Sequence, residues 1–532
     1  MATSSRPRPL VVTILDGWGI SFVKEGNAIM AATTPTMDMF ARHYPSAGIL
    51  AAGIEVGLPW GEVGNSETGH SNIGAGQVQY QALPSIDKAI EDRSFFANQV
   101  LLQAIAHVKR NNSNLHIMGL ASTGGVHAHL NHLFALLRLV AHEQIYDHVF
   151  LHLFTDGRDS PPQSALAYLR QTAEVMAQYK IGKIASVTGR LYAMDRNENW
   201  ERTQATFNLL TGGPRQVGAS TAEQAVTQAY ERNIFDEMIP PTAITEGGGP
   251  LATIRDNDAV IFFNYRPDRA RQITRAFVET DFTNFRRPTV PTNLFFATMT
   301  QYDPRLPAPA AFIEEPVALP LAKVISQAGL TQLHIAETEK YAHITYYLNG
   351  GHEQPFPGEE HVLIKSSGIK NFAERPHMEA EAITDRLLHE IQRGLFDVYF
   401  VNLANADMVG HSGDIAATIE ACTFVDQCLA RLHTAVQAAH GALLVTADHG
   451  NAEEKLHPKT KAVETDHTSN PVPLHYVIEH LRRTTPRSEA ELVALFSSPI
   501  GVLADIAPTI LDILDIPLPP HMTGISLLNS LQ

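Results

Sequence analysis

Aspartates stand at the ends of three short apolar runs. Leu10 to Leu15 leads into Asp16, Val398 to Leu403 is followed by Asp407, and Leu443 to Ala447 leads into Asp448. Histidines accompany all but the first. His411 lies four residues after Asp407, a spacing that puts both side chains on one side of a helical turn, and His449 adjoins Asp448. His467 opens the polar loop His467-Thr468-Ser469-Asn470-Pro471. Carboxylate and imidazole without thiolate suit Mn, Zn, Co or Mg better than a structural cysteine-bound zinc. Six such ligands are too many for one ion, so the set reads as a two-metal centre.

A centre of this kind invites a nucleophile, and Ser66 is the best placed. It lies in Gly64-Asn65-Ser66-Glu67-Thr68-Gly69-His70, where glycine allows close approach and backbone N–H groups can face an oxyanion. A serine hydroxyl is a weak nucleophile at its free pKa, and a divalent cation beside it lowers that pKa. A second chemistry gathers elsewhere. Arg158, Arg190, Arg196, Arg266 and Arg269 follow other strand-like runs, in contexts such as Asp156-Gly157-Arg158-Asp159 and Arg266-Pro267-Asp268-Arg269. Guanidinium groups match carboxylate and phosphate oxygens two at a time, so five of them suggest a small ligand with more than one anionic group.

The elements that must position these residues are strands and helices of an α/β fold. Aliphatic and β-branched runs of five or six residues bounded by turn residues read as buried strands, and open parallel sheets build sites beyond the carboxyl ends of their strands. Further runs are Leu115 to Leu120, Val149 to Phe154, Lys183 to Val187 and Ala259 to Phe263, separated by helical patterns such as Leu130 to Ala141 and Ser164 to Tyr179. A helix beginning at Ile415 carries the stripe Ile419, Cys422, Leu429, Leu432 and Val436 and is expected to stop at Gly441. Another is expected over Leu319 to Ala328.

Metal-type residues occupy the two ends of the chain and arginines the middle. The expected organisation is a discontinuous outer domain, 1–78 with 312–532, holding an inserted α/β domain, 79–311. At 532 residues the chain exceeds one ordinary core, which agrees. With 18% charged and 44% apolar residues it is globular, and no apolar run approaches the ~18 residues that span a bilayer. A formal charge of -16 repels nucleic acid and anionic membranes. Cys422 and Cys428 are the only cysteines; on one helix they would be ~9 Å apart in rise, too far to pair, which implies a cytoplasmic setting.

Seven segments in order carry a family resemblance. They are Leu15-Asp16-Gly17-Trp18-Gly19, Gly64-Asn65-Ser66-Glu67, Thr155-Asp156-Gly157-Arg158-Asp159, Asn264-Tyr265-Arg266-Pro267-Asp268-Arg269, Thr338-Glu339-Lys340-Tyr341-Ala342-His343, Asp448-His449-Gly450-Asn451 and Asn470-Pro471-Val472-Pro473. Together they resemble the cofactor-independent (2,3-bisphosphoglycerate-independent) phosphoglycerate mutases of the alkaline phosphatase superfamily. The resemblance implies an alkaline phosphatase-like domain with an inserted transferase domain, two Mn ions, and interconversion of 3-phosphoglycerate and 2-phosphoglycerate through a phosphoserine. It implies that Asp407, His411 and His467 hold one ion and that Asp16, Ser66, Asp448 and His449 hold the other. Ser66 would take the phosphoryl group and Lys340 would steady it. His127, Arg158, Asp159, Arg190, Arg196, Arg266 and Arg269 would grip the substrate, with Asp159 or His127 moving the glycerate proton. The expected partner is this small molecule alone, with the chain acting as a monomer.

Two segments depart from the family pattern: Ser367 to Ala373 replaces its usual elements, and Lys455 to Val463 is unusually basic. His70, His129, His132 and His343 are read as structural or supporting. A metal-dependent phosphatase or phosphopentomutase would share the metal residues, but a pentose phosphate lacks the carboxylate that so many guanidinium groups invite. A scaffold that merely binds metal would be expected to have lost a ligand or the nucleophile.

Overall fold

The computed structural model describes residues 6–213, 217–313 and 316–531. The chain forms two compact units, Met1–Gln81 with Glu315–Gln532, and Ala82–Glu314, dividing three residues beyond each boundary expected from sequence. Each unit has its own apolar core.

Among the described residues the first unit holds an eight-stranded sheet in the order Glu359–Ile364, Gln332–Glu337, Val398–Leu403, Leu10–Leu15, Ala442–Thr446, Val472–Val477, Ser46–Leu50, Gly501–Val502. The first five run parallel, and Val472–Val477 is antiparallel to both of its neighbours. Leu10–Leu15 lies centrally, with Leu10 opposite both Val398 and Ala442. All six of its residues are buried, which is why it reads as a continuous aliphatic and β-branched run, with Thr13 within it, rather than an alternating one. Asp16, Asp407, Asp448 and the Thr338–Lys340 turn all follow the carboxyl ends of parallel strands in this sheet.

The helix Ile415–Ala438 connects the Asp407 and Asp448 strands. Asp414 caps its start by accepting from the Ala417 N–H, and Cys422, Val425, Leu429, Leu432 and Val436 are buried along one stripe. It ends before Gly441, with His440 in the left-handed region at φ 57. The strand after it spans Ala442–Thr446, one residue earlier than expected. The helix expected over Leu319 to Ala328 is Leu321–Gln327, because Pro320 stands at its N-cap.

The second unit holds a nine-stranded sheet among its described residues. Four adjacent parallel strands form its centre: Ala259–Phe262, Leu115–Leu120, Val149–Thr155 and Lys183–Gly189. The segments that follow these four carry His127, Asp159 with Arg158, Arg190 with Arg196, and Arg266 with Arg269; Arg190 opens the short helix Arg190–Ala193 and Arg269 lies in the helix Pro267–Val278. No helix among the described residues is long and apolar enough to cross a membrane. Cys422 and Cys428 are free and buried.

Candidate active site

In the first unit Ser66 opens the helix Ser66–Ala75, and Asn65 caps that helix by accepting from the Thr68 N–H. The helix N-terminus favours negative charge at this point. Ser66 Oγ accepts from Lys340 Nζ at 2.7 Å and lies 3.2 Å from Asp16 Oδ1 and 2.9 Å from His449 Nε2. Lys340 also donates to Asp16 Oδ1 at 2.6 Å and Asp407 Oδ2 at 2.7 Å. Burial opposes its charge, but Asp16, Asp407 and Asp448 outweigh burial and raise its pKa. Gly17, at φ +76, lets the chain pass tightly here: a Cβ would fall 2.7 Å from Asp407 Cα.

The ligand-type residues form two adjoining groups. His411 Nε2 and His467 Nε2 lie 3.0 Å apart, and each is 3.1 Å from Asp407 Oδ1. In the other group His449 Nε2 lies 3.5 Å from Asp16 Oδ1 and 3.6 Å from Asp448 Oδ2, beside Ser66. The rings of His449 and His467 stack at 3.9 Å, so the groups share a border.

Hydrogen bonding tests whether these residues suit a cation. His411 Nδ1 faces Thr465 O at 2.7 Å and His467 Nδ1 faces Gly64 O at 2.8 Å. A carbonyl only accepts, so each ring carries a proton on Nδ1 and, when neutral, turns a lone pair at Nε2 toward the other ring and Asp407. Three acceptors aimed at one point repel unless a cation or an extra proton lies among them. Asp448 Oδ2 is buried without a hydrogen bond: His70 Nδ1, 3.2 Å away, faces Ser66 O at 2.9 Å. Without a metal the surplus of negative charge draws protons instead. Burial works against a charged His449, yet Asp448, Asp16 and Asp407 raise its pKa to about 9. His411 is raised by its hydrogen bond to Asp407. Asp407 is buried, which opposes its charge, but Lys340, His411 and His467 hold it well below the usual carboxylate range. The donor set fits divalent cations of the Mn, Co or Zn kind.

The second unit carries the arginine cluster. Arg190 is buried and donates through Nη1 to Asp156 Oδ1 at 2.6 Å and to Asp159 Oδ2 at 2.5 Å. Asp268 receives Arg196 Nη1 at 2.6 Å and stands 3.2 Å from Arg266 Nε. Arg269 reaches Met194 O, and its pKa is lowered by burial and by the charges of Arg190, Arg196 and Arg158. Several guanidinium groups therefore crowd one place, which an anion would relieve. Arg158 is more exposed and stands 3.6 Å from Glu237. His127 is buried, with Nε2 4.0 Å from Asp159 Oδ2 and Nδ1 3.5 Å from Asp268 Oδ1. Burial and then Arg190 lower its pKa to about 4, so it is neutral at pH 7.

Comparison with known proteins decides the family. The chain is 47% identical over 98% of its length to the 2,3-bisphosphoglycerate-independent phosphoglycerate mutase of Moorella thermoacetica, covering 98% of that protein. It is equally 47% identical, at the same coverage of both chains, to phosphoglycerate mutase 1 of that type from Methanosarcina acetivorans. The chain belongs to the 2,3-bisphosphoglycerate-independent phosphoglycerate mutase family. The family model for the BPG-independent PGAM N-terminus matches residues 86–304, inside the second unit. The structure is also similar to a Leishmania mexicana phosphoglycerate mutase crystallised at low cobalt concentration, with TM-score 0.56, 28% identity and 98% of each chain covered.

Around the ligand-type residues of this family member lies a ring of polar groups that the sequence alone does not single out. Asn402 donates to Asp16 Oδ2 at 2.7 Å, and Asn451 donates to Asp407 Oδ1 at 2.8 Å. Lys455 supports Asn451: its Nζ donates to Asn451 Oδ1 and to Gly410 O. Lys455, the first residue of the unusually basic stretch, is fully buried and belongs to this interior network. Asp268 gathers Arg196, Arg266 and His127, although in the sequence it stands only within an arginine motif. One signal was legible: Asn402 interrupts an otherwise apolar buried strand, where a polar side chain needs a partner.

Proposed function

We propose that this chain interconverts 3-phosphoglycerate and 2-phosphoglycerate without 2,3-bisphosphoglycerate, as an isomerase that moves the phosphoryl group by way of Ser66. The observation that supports this most is the setting of Ser66 Oγ, held by the Lys340 ammonium between Asp16 and His449 in a member of the mutase family. Asp407, His411 and His467 would bind one cation and Asp16, Ser66, Asp448 and His449 a second, Mn2+ being the candidate. Such cations would lower the pKa of Ser66 and neutralise charge on the phosphoryl oxygens. Lys340 would add a third fixed positive charge to the same oxygens. Arg158, Arg190, Arg196, Arg266 and Arg269 would hold the carboxylate and phosphate of the substrate. Asp159 or His127 would receive the glycerate hydroxyl proton: His127 is neutral at pH 7 and so able to accept one, and Asp159 is held in place by Arg190. Action as a monomer belongs to the same proposal, and two buried free thiols support a cytoplasmic setting.

The test is conversion of 3-phosphoglycerate by the wild type and by Ser66→Ala with no bisphosphoglycerate added, before and after chelation and Mn2+ return. The wild type should lose activity on chelation and regain it with Mn2+. Ser66→Ala should stay at background, and mass spectrometry of quenched wild type should place phosphate on the Ser66 peptide. Substantial turnover by the alanine variant would mean another acceptor.

A further inference from the structure

Away from Ser66, at the edge of the first unit's sheet, four side chains make a block on two neighbouring parallel strands. Gln332 pairs in register with Glu359, and His334 pairs with His361, so all four project from one face. We propose that Gln332, His334, Glu359 and His361 bind a divalent cation of the zinc type, which pins the edge strand Glu359–Ile364 to Gln332–Glu337.

The hydrogen bonds carry the inference. His334 Nδ1 faces Ile344 O at 2.8 Å, so its proton lies on Nδ1 and the neutral ring offers a lone pair at Nε2. Gln332 donates through Nε2 to Ala322 O at 2.7 Å, which fixes its amide and turns Oε1 toward His334 Nε2 at 3.2 Å. Glu359 Oε1 stands 3.7 Å from the same nitrogen and 2.5 Å from His361 Nε2. A nitrogen lone pair, an amide oxygen and a carboxylate oxygen thus meet with no donor from His334 among them. His334 and Gln332 are buried, so water does not relieve the contact between the His334 Nε2 lone pair and Gln332 Oε1. The ligand atoms of the two histidines and Glu359 all lie within 4.8 Å of one another. Zinc ligands at about 2.1 Å in a tetrahedron are about 3.4 Å apart, so small rotamer adjustments suffice.

The surroundings are those of a prepared metal site. Glu359 Oε1 also accepts from Asn349 Nδ2 at 2.7 Å, and Glu359 Oε2 accepts from the Phe356 N–H at 2.8 Å. Ligating histidines and carboxylates are typically oriented by such contacts to backbone and amide groups. The inner strand Gln332–Glu337 leads directly into Thr338–Lys340, so the cation would also steady the root of the turn that carries Lys340.

Zinc-loaded wild type, freed of loose metal, would be crystallised and anomalous scattering recorded on both sides of the zinc absorption edge. A peak among Gln332, His334, Glu359 and His361 is expected. In solution, His361→Ala should bind one zinc fewer per chain than wild type by elemental analysis, while His411→Ala should leave this site filled. His361 is on an edge strand and partly exposed, so its alanine variant keeps the core intact. No anomalous peak in fully loaded crystals, or equal zinc in wild type and His361→Ala, overturns the proposal. Neither readout depends on mutase activity.

Discussion

At the scale of single residues, the proposed metal centre and the titration of the histidines beside it belong to one prediction. In the metal-free chain the pKa of His449 is raised from its ordinary 6.5 to about 9, and His411 is raised as well. A ligand to metal must shed that proton, so metal loading at pH 7 should release protons, and affinity should climb as pH rises toward about 9. Calorimetric titration of Mn2+ into stripped protein, in two buffers of different ionisation enthalpy, measures the number released; zero would detach His449 from the cation. The stability sign follows from the same raised value. His449 contributes stability to the stripped protein below about pH 6.5, and the contribution disappears as pH rises through about 9. A second residue-scale prediction concerns Asp268, the shared anchor of Arg196 and Arg266. Asp268→Asn should free both guanidinium groups. Losing one charge-assisted contact to glycerate costs about 2 kcal/mol, or roughly thirtyfold in mutase kcat/KM. With glycerate held less firmly, a larger share of turnovers should end in free phosphate. Following inorganic phosphate and 2-phosphoglycerate together checks this, and an unchanged ratio would remove Asp268 from the grip.

At the scale of elements, the helix Ser66–Ala75 matters as much as the serine that opens it. A Cβ on Gly74 would fall 1.8 Å from Leu348 O, a backbone atom that cannot swing aside. Gly74→Ala should therefore destabilise the first unit by about 1–3 kcal/mol and lower its thermal midpoint, despite alanine's better helix propensity. A midpoint at or above that of wild type would mean that the helix shifts freely. The starts of such elements were legible because their causes are local. A largely aliphatic and β-branched run such as Leu10–Leu15 followed at once by Asp16 identifies both a buried strand and its exit. What escaped depends on distant partners. Glu359–Ile364 alternates partly exposed residues at a sheet edge and resembles a loop until its register with Gln332–Glu337 is known. Asn402, Asn451 and Lys455 have roles only because strands and loops far apart in sequence bring them to Asp16 and Asp407. A polar residue inside a buried strand announces a need for a partner without saying which.

At the scale of the whole molecule, the division of labour follows the division of the chain. Ser66, Lys340 and the ligand-type residues lie in one unit and the arginines in the other, and each unit closes its own core over its own sheet. Two cores make separate unfolding thermodynamically accessible, so a ligand that binds one unit stabilises that unit first. Cations at the proposed centre should stabilise the first unit by about 2.7 kcal/mol when present at a hundredfold excess over Kd. Hydrogen exchange read peptide by peptide can see this. Stripping the metal should speed exchange in Leu10–Leu15, Val398–Leu403 and Ala442–Thr446, whose carboxyl ends lead to Asp16, Asp407 and Asp448. Leu115–Leu120 and Val149–Thr155, which lead to the arginine cluster, should exchange as before. The protection lost has a physical source. With the cations gone, three buried carboxylates share Lys340 and whatever protons the histidines take up, and the strand ends that hold them are pushed apart. Equal acceleration in both sets of peptides would show that the two units open together and that the metal is not a property of the first unit alone.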